Sequence, residues 1–167
     1  MEDKELDPGY ESIVERSLQG MVIYQQGKGV YINPAVESIT GLSFRNLYHR
    51  SFEELLALVH PDHRQETAQN IQALLIGSSD FIRHEIKILT GTGQVKWLEC
   101  LVNSIQYRGN LALLLCFIDV TARKIAEVQR EEAMHELEVI YEAITEISRY
   151  RQIDDITHYL AHRVHDF

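Results

Sequence analysis

Between Leu111 and Tyr150 the chain passes without a break from an apolar run, Leu111-Ala112-Leu113-Leu114-Leu115-Cys116-Phe117-Ile118, through Asp119-Val120-Thr121 into a long charged segment. Eight apolar residues without alternation suit a strand in the middle of a sheet or buried on both faces, and they are too few to cross a bilayer. After Asn110 the chain has neither glycine nor proline. Beyond Thr121 it is rich in helix formers such as Ala126, Glu127, Glu131, Ala133 and Leu137, with Thr121 placed to act as N-cap. A helix over 121–150 is about 45 Å long, more than a compact domain of this size needs, so part of it extends beyond the domain. A buried strand feeding an exposed helix is a mechanical coupling, which points to passing on a state rather than turning over a substrate.

Leu137, Ile140, Ile144 and Ile147 recur at spacings of three, four and three, and Ala126 and Ala133 continue one line of that seam upstream. A stripe this narrow suits pairing with a second copy in a parallel homodimer; the alternative is packing back on the parent domain. Ahead of the run, Tyr10–Leu18 has the spacing of a short amphipathic helix. Met21–Tyr24 and Val30–Ile32 form a hairpin through Gly27-Lys28-Gly29. Asn33-Pro34 starts a helix that Gly41 closes, with Asn33 as its cap. Helices near Phe52–Val59 and over Asp62–Leu75 follow, the second ended by Gly77-Ser78-Ser79 and capped by Asp62. Strands Phe81–Leu89, Val95–Tyr107 and Leu111–Ile118 complete the domain. The order β-β-α-α-α-β-β-β predicts an α+β domain with one antiparallel sheet over 10–120, after a frayed 1–9 and before a signalling helix over 121–150.

Composition narrows the function. The chain has 167 residues, 45% of them hydrophobic, which is enough for one real core. A net charge of −9 with no basic stripe argues against nucleic acid and against direct membrane contact. Cys100 and Cys116 lie in strand-like segments without C-x-x-C spacing, so they read as buried free thiols of a cytoplasmic protein. There is no P-loop, no H-E-x-x-H and no full G-x-G-x-x-G, since Lys96 stands where the third glycine belongs; no catalytic centre and no metal site are predicted.

The ordered motifs Gly29-Val30-Tyr31-Ile32-Asn33-Pro34-Ala35, Thr40-Gly41, Val59-His60-Pro61-Asp62-His63, Glu85-Ile86-Lys87, Gly93-Gln94-Val95-Lys96-Trp97-Leu98-Glu99 and Asp119-Val120-Thr121-Ala122-Arg123 resemble the PAS family of sensor domains from about Tyr10 to Glu127. The resemblance implies a five-stranded antiparallel sheet that, with short helices, encloses a pocket for a small molecule, haem or flavin, and an Asp-x-Thr turn tying the last strand to an output helix. Asp119 and Thr121 are then the coupling residues, with Asp119 accepting hydrogen bonds from Thr121 or the backbone and pairing with a nearby Arg or Lys.

The chain departs from the family in its cofactor residues. Blue-light members carry a cysteine on a helix, whereas both cysteines here lie on strands, which argues against a covalent flavin adduct. The middle helix carries no histidine beyond His63 at its start, which argues against haem; the cofactor is left unidentified. His84 shares strand parity with Ile82, Ile86 and Ile88, so it faces inward, where an unpaired polar group costs on the order of 1–3 kcal/mol. Either a ligand or a neighbouring core group satisfies it. Tyr31, Asn33 and Ser104 are further pocket candidates.

Tyr150-Arg151-Gln152-Ile153-Asp154-Asp155 breaks the heptads, and 151–167 reads as a linker or the start of a following domain. Ile144 to Ile156 resembles the opening helix of a GAF domain, whereas His162-Arg163-Val164 and His165-Asp166 are similar to the phosphoacceptor box of histidine kinases. His158, His162 and His165 share a helical face. Two functions therefore stand: a sensory and dimerisation module of a multidomain bacterial or archaeal signalling protein, or a ligand-free structural spacer with its core packed by Phe81, Phe117 and leucines.

Overall fold

The computed structural model describes residues 8–48 and 50–164. Helix α1 (Pro8–Glu15) leads into strands β1 (Gly20–Gln25) and β2 (Lys28–Ile32). Four short helices follow: α2 (Pro34–Thr40), α3 (Phe44–Tyr48), α4 (Phe52–Leu56) and α5 (Pro61–Leu75). Strands β3 (Phe81–Leu89), β4 (Val95–Tyr107) and β5 (Asn110–Asp119) then complete one sheet before α6 (Thr121–Val164). This is an α+β, five-stranded antiparallel fold; α3 was not expected from sequence, being five residues with no periodicity to read.

The sheet order β2-β1-β5-β4-β3 puts β5 in the centre, hydrogen-bonded to β1 on one side and β4 on the other. That position accounts for the unbroken apolar run. Leu113, Leu115 and Phe117 face the helices, while Ala112, Leu114, Cys116 and Ile118 take the opposite face. Buried residues from the sheet (Ile32, Ile86, Leu98, Cys100, Phe117) and from the helical layer (Val36, Leu47, Val59) form the main core between them. Each such side chain contributes about 1.5–3 kcal/mol when fully buried.

Two hairpins turn on two residues each. Gln25 pairs with Lys28 and Tyr107 with Asn110, leaving Gln26-Gly27 (φ 51°, 78°) and Arg108-Gly109 (φ 50°, 77°) as the loops. Positive φ at both positions is the type I′ geometry that matches strand twist. The first turn therefore falls one residue ahead of the glycine pair expected to make it. Gly20 answers a different demand: its backbone lies under the Phe117 ring, and a Cβ there would sit 2.5 Å from ring carbons. The outer edge of β3 is covered by the segment before α5, through Leu89 N–H to Leu58 O (2.7 Å) and His60 N–H to Lys87 O (2.8 Å), which removes a template for aggregation.

Three helix-end expectations are corrected. Asn33 precedes α2 without capping it by its side chain. His60, not Asp62, is the N-cap of α5, its Nδ1 accepting the Asp62 N–H at 3.4 Å. The helix end expected at 150 is not seen, because α6 runs as one helix to Val164, about 66 Å at 1.5 Å per residue. Expectations for the first seven residues and for His165–Phe167 lie outside the described residues, as do the side chains of His158 and His162.

The domain ending at Ala122 and the helical unit from Arg123 are separate compact units. Within the helical unit, Glu127 pairs with Arg123 (3.0 Å) and Lys124 (3.1 Å). The seam residues Leu137, Ile140, Ile144 and Ile147 are 66, 47, 57 and 66% exposed. No described helix is long and apolar enough to cross a membrane.

Candidate ligand cavity and output junction

A cavity of about 170 Å³ lies between the sheet and helices α2–α5. Its floor is the helix-facing side of β1 (Val22, Tyr24), β5 (Leu113, Leu115, Phe117), β4 (Leu98, Cys100, Val102) and β3 (His84, Ile86, Ile88); Leu47, Leu55, Thr67 and Ile71 are among the residues that roof it. Among the described residues, no lysine, arginine, aspartate or glutamate lines it. Thr40 and Thr67 do line it, but their hydroxyls are committed, to Val36 O and His63 O at 2.7 Å each. The Tyr24 hydroxyl and His84 Nδ1 are different: both atoms are buried and neither has a hydrogen-bond partner among the described residues. Burial holds the His84 pKa below its usual value, with Glu66 opposing and His63 adding to that shift, so the imidazole is neutral at pH 7. Burial, then Glu53 and Glu54, raise that of Tyr24, which stays protonated.

The other pocket candidates lie elsewhere. Tyr31 is paired with Ile23 on the opposite face of the sheet, and its hydroxyl donates to Glu15 at 3.0 Å. Asn33 is 1% exposed and acts as a clamp: its Oδ1 accepts the Met21 N–H (2.8 Å), and its Nδ2 donates to Val14 O (3.0 Å) and Gln19 O (2.9 Å), joining α1, β1 and α2. Ser104 has the right strand parity, opposite Leu113, but does not line the cavity. Phe81, which the spacer alternative places in the core, is 60% exposed. Tyr24 was missed by sequence reading, although it shares parity with Val22 on β1.

The cavity does not fit the larger cofactors. Its volume is close to that of an engineered 150 Å³ cavity that takes benzene, so a haem macrocycle has no room. His63 lies outside it, its ring edge-on to Trp97 with centroids 5.4 Å apart. Cys100 does line the cavity, but burial, then Glu99, push its thiol up to about 12, far from a reactive thiolate. Among the described residues no group of three or more His, Cys, Asp or Glu could hold a metal.

The strands that floor the cavity also hold the junction with α6. Leu98, on the cavity, pairs with Asp119. The preceding residue, Trp97, grips the turn with both backbone groups: its N–H donates to Thr121 Oγ1 (2.9 Å), and its carbonyl accepts the Val120 N–H (2.9 Å). Thr121 is thus the first helical residue, and its hydroxyl serves β4 rather than capping α6. Asp119 Oδ1 accepts the Thr121 N–H at 2.9 Å, and Oδ2 lies 3.0 Å from Lys96 Nζ. Burial works to raise the Asp119 pKa, but the Thr121 hydrogen bonds and Lys96 outweigh it and leave the carboxyl below its usual value. Lys87 Nζ sits 4.9 Å over the Trp97 ring on the face away from the cavity.

An antiparallel sheet that cradles an apolar cavity, with its central strand bonded through a polar turn to a long helix, defines a sensory signalling module. A family model described as the PAS fold matches residues 29–118, more than half of the chain, and the chain belongs to the PAS family. Similar solved structures include the PAS domain of a protein from Colwellia psychrerythraea, at 19% identity and TM-score 0.57, covering 68% of this chain and 96% of that one. A sensory box histidine kinase/response regulator from Burkholderia thailandensis is 21% identical at TM-score 0.59, covering 77% and 97%. The PAS domain of nitrogen regulation protein NR(II) from Vibrio parahaemolyticus is 21% identical at TM-score 0.50, covering 66% and 96%. No curated protein sequence matches the chain.

Proposed function

We propose that this chain is the sensor and dimerisation module of a multidomain signalling protein, in which occupancy of the cavity alters the grip of Trp97, Asp119 and Thr121 on the first turn of α6. The observation that carries this reading is adjacency: Leu98 lines the cavity, and its neighbours in sequence and across the ladder, Trp97 and Asp119, hold the turn. A ligand that displaces β4 or β5 acts on both strands of the clamp at once. Two copies pair through Leu137, Ile140, Ile144 and Ile147, whose exposure on a single helix supports an apolar seam awaiting its partner. The module itself performs no catalysis. Its free thiols, Cys100 and Cys116, support the cytoplasm as its compartment. The spacer reading requires a filled core, and a cavity with two unpartnered polar atoms speaks against it.

A double-mutant cycle on the whole chain tests the coupling. Val102→Leu intrudes on the cavity and Asp119→Ala opens the clamp; sedimentation equilibrium gives the dimer constant of each single variant and of the pair. Coupling predicts non-additive effects, with the cavity substitution losing its influence once the clamp is open. Additive effects refute the reading.

A further inference from the structure

Among the described residues the polar groups of the cavity wall are neutral: the Thr40 and Thr67 hydroxyls are bonded, the Cys100 thiol is a weak donor held protonated, and the Tyr24 hydroxyl and His84 Nδ1 are unpartnered. A carboxylate entering at pH 7 would meet no cation, and Glu66 near His84 and Glu53 and Glu54 near Tyr24 make the surroundings negative. An ammonium would meet no lining carboxylate. Either ion would have to change protonation state to enter. The volume admits about one six-membered ring with short substituents.

The two unpartnered atoms are far apart. Tyr24 is on β1 and His84 on β3, with β5 and β4 between them, three strand spacings or about 14 Å. Along the strands, Tyr24 stands opposite Leu113, whereas His84 shares a row with Cys100 and Phe117, four residues further along β5. The two backbones are therefore about 20 Å apart. Both side chains reach inward from that distance, so one small polar group cannot serve both.

We infer that the cavity takes an uncharged organic molecule about one ring in size with a hydroxyl-type group at each end, one for the Tyr24 hydroxyl and one for His84 Nδ1. This rests on the sensory reading above and names the class of ligand for the same site. A hydroxyl suits both ends because it donates and accepts, matching a phenol on one side and either tautomer of a neutral imidazole on the other.

The test is calorimetric titration of the whole chain with para-hydroxybenzyl alcohol, benzyl alcohol, para-hydroxybenzoate and benzylamine. Para-hydroxybenzyl alcohol is expected to bind about fivefold tighter than benzyl alcohol, one hydrogen bond's worth. The benzoate and the amine should be weaker by about a hundredfold or more, since each must neutralise to enter. Tyr24→Phe and His84→Leu should each weaken para-hydroxybenzyl alcohol about fivefold while leaving the unliganded chain as stable as the parent or more so, a combination that a purely structural role does not produce. Binding of either ion within tenfold of the alcohol, or indifference of the alcohol to both substitutions, overturns the inference. If no probe binds and the Val102/Asp119 cycle is non-additive, the ligand class falls and the sensory reading stands; if no probe binds and the cycle is additive, both fall.

Discussion

Asp119→Ala removes two interactions that differ in kind. The carboxylate's hydrogen bond to the Thr121 N–H is charge-assisted and worth about 1.5–2 kcal/mol, because the amide it satisfies opens α6 and has no helical partner. The Lys96 ion pair joins side chains that are 26 and 31% exposed, so screening limits it to about 0.5–1 kcal/mol. The expected loss is about 2 kcal/mol. Asp119→Asn keeps an oxygen for the amide and forfeits the charge, and should lose about 1 kcal/mol. The assay is urea unfolding followed by fluorescence of Trp97, the only tryptophan in the chain, whose backbone belongs to the same clamp. The pH dependence carries a definite sign. Because the folded Asp119 pKa lies below its unfolded value of about 3.9, its contribution is complete above that value and disappears as pH falls through the depressed folded pKa. The parent should therefore lose more stability below about pH 4 than Asp119→Asn does. If Asp119→Ala unfolds within 0.5 kcal/mol of the parent, the clamp is not what holds the turn (compare about 2 kcal/mol expected).

Asn33→Ala breaks three hydrogen bonds at a site 1% exposed and should destabilise the domain by about 3 kcal/mol in the same assay, without changing affinity for para-hydroxybenzyl alcohol. Gly20→Ala drives a methyl into the Phe117 ring and should cost about 1–3 kcal/mol; a neutral result would mean that the ring moves aside freely. Tyr24→Phe removes an unsatisfied buried hydroxyl and should stabilise the unliganded domain by about 1 kcal/mol, read as a higher urea midpoint at unchanged slope. Ile140→Asp with Ile144→Asp should make the chain monomeric by sedimentation while the unfolding of the sheet domain stays where it was; a persistent dimer would move the interface away from α6.

Local rules carry well where a single stretch of chain settles the outcome. Strands β3 and β4 have the bounds that alternation and the flanking glycines predict, Gly41 ends α2 in the left-handed conformation, and α6 follows from its composition. The same reasoning placed His84 inward by parity, and the PAS motifs supplied the family. Its errors have a common origin. Asn33 and Thr121 carry side chains that cap helices in most local contexts, yet here they are captured by Met21 and Trp97, residues 12 and 24 positions away. Tyr31 was a pocket candidate as a residue of the second strand, while its strand parity turns it toward Glu15. The helix end expected at 150 rested on loss of the apolar seam, which weakens pairing without stopping a helix that contains no glycine or proline.

The sequence by itself determined the element types, the hairpins, the central apolar strand, the long helix and the family, because periodicity, turn residues and helix propensity act over a few neighbouring residues. The tertiary structure alone decided the strand order, the volume left between sheet and helices, and which buried atoms go without partners. It also set the contact of Trp97 with the Asp119–Thr121 turn. Those depend on how surfaces distant in the chain meet: whether Tyr24 finds a partner is a property of every side chain packed around it, and no window along β1 contains that information.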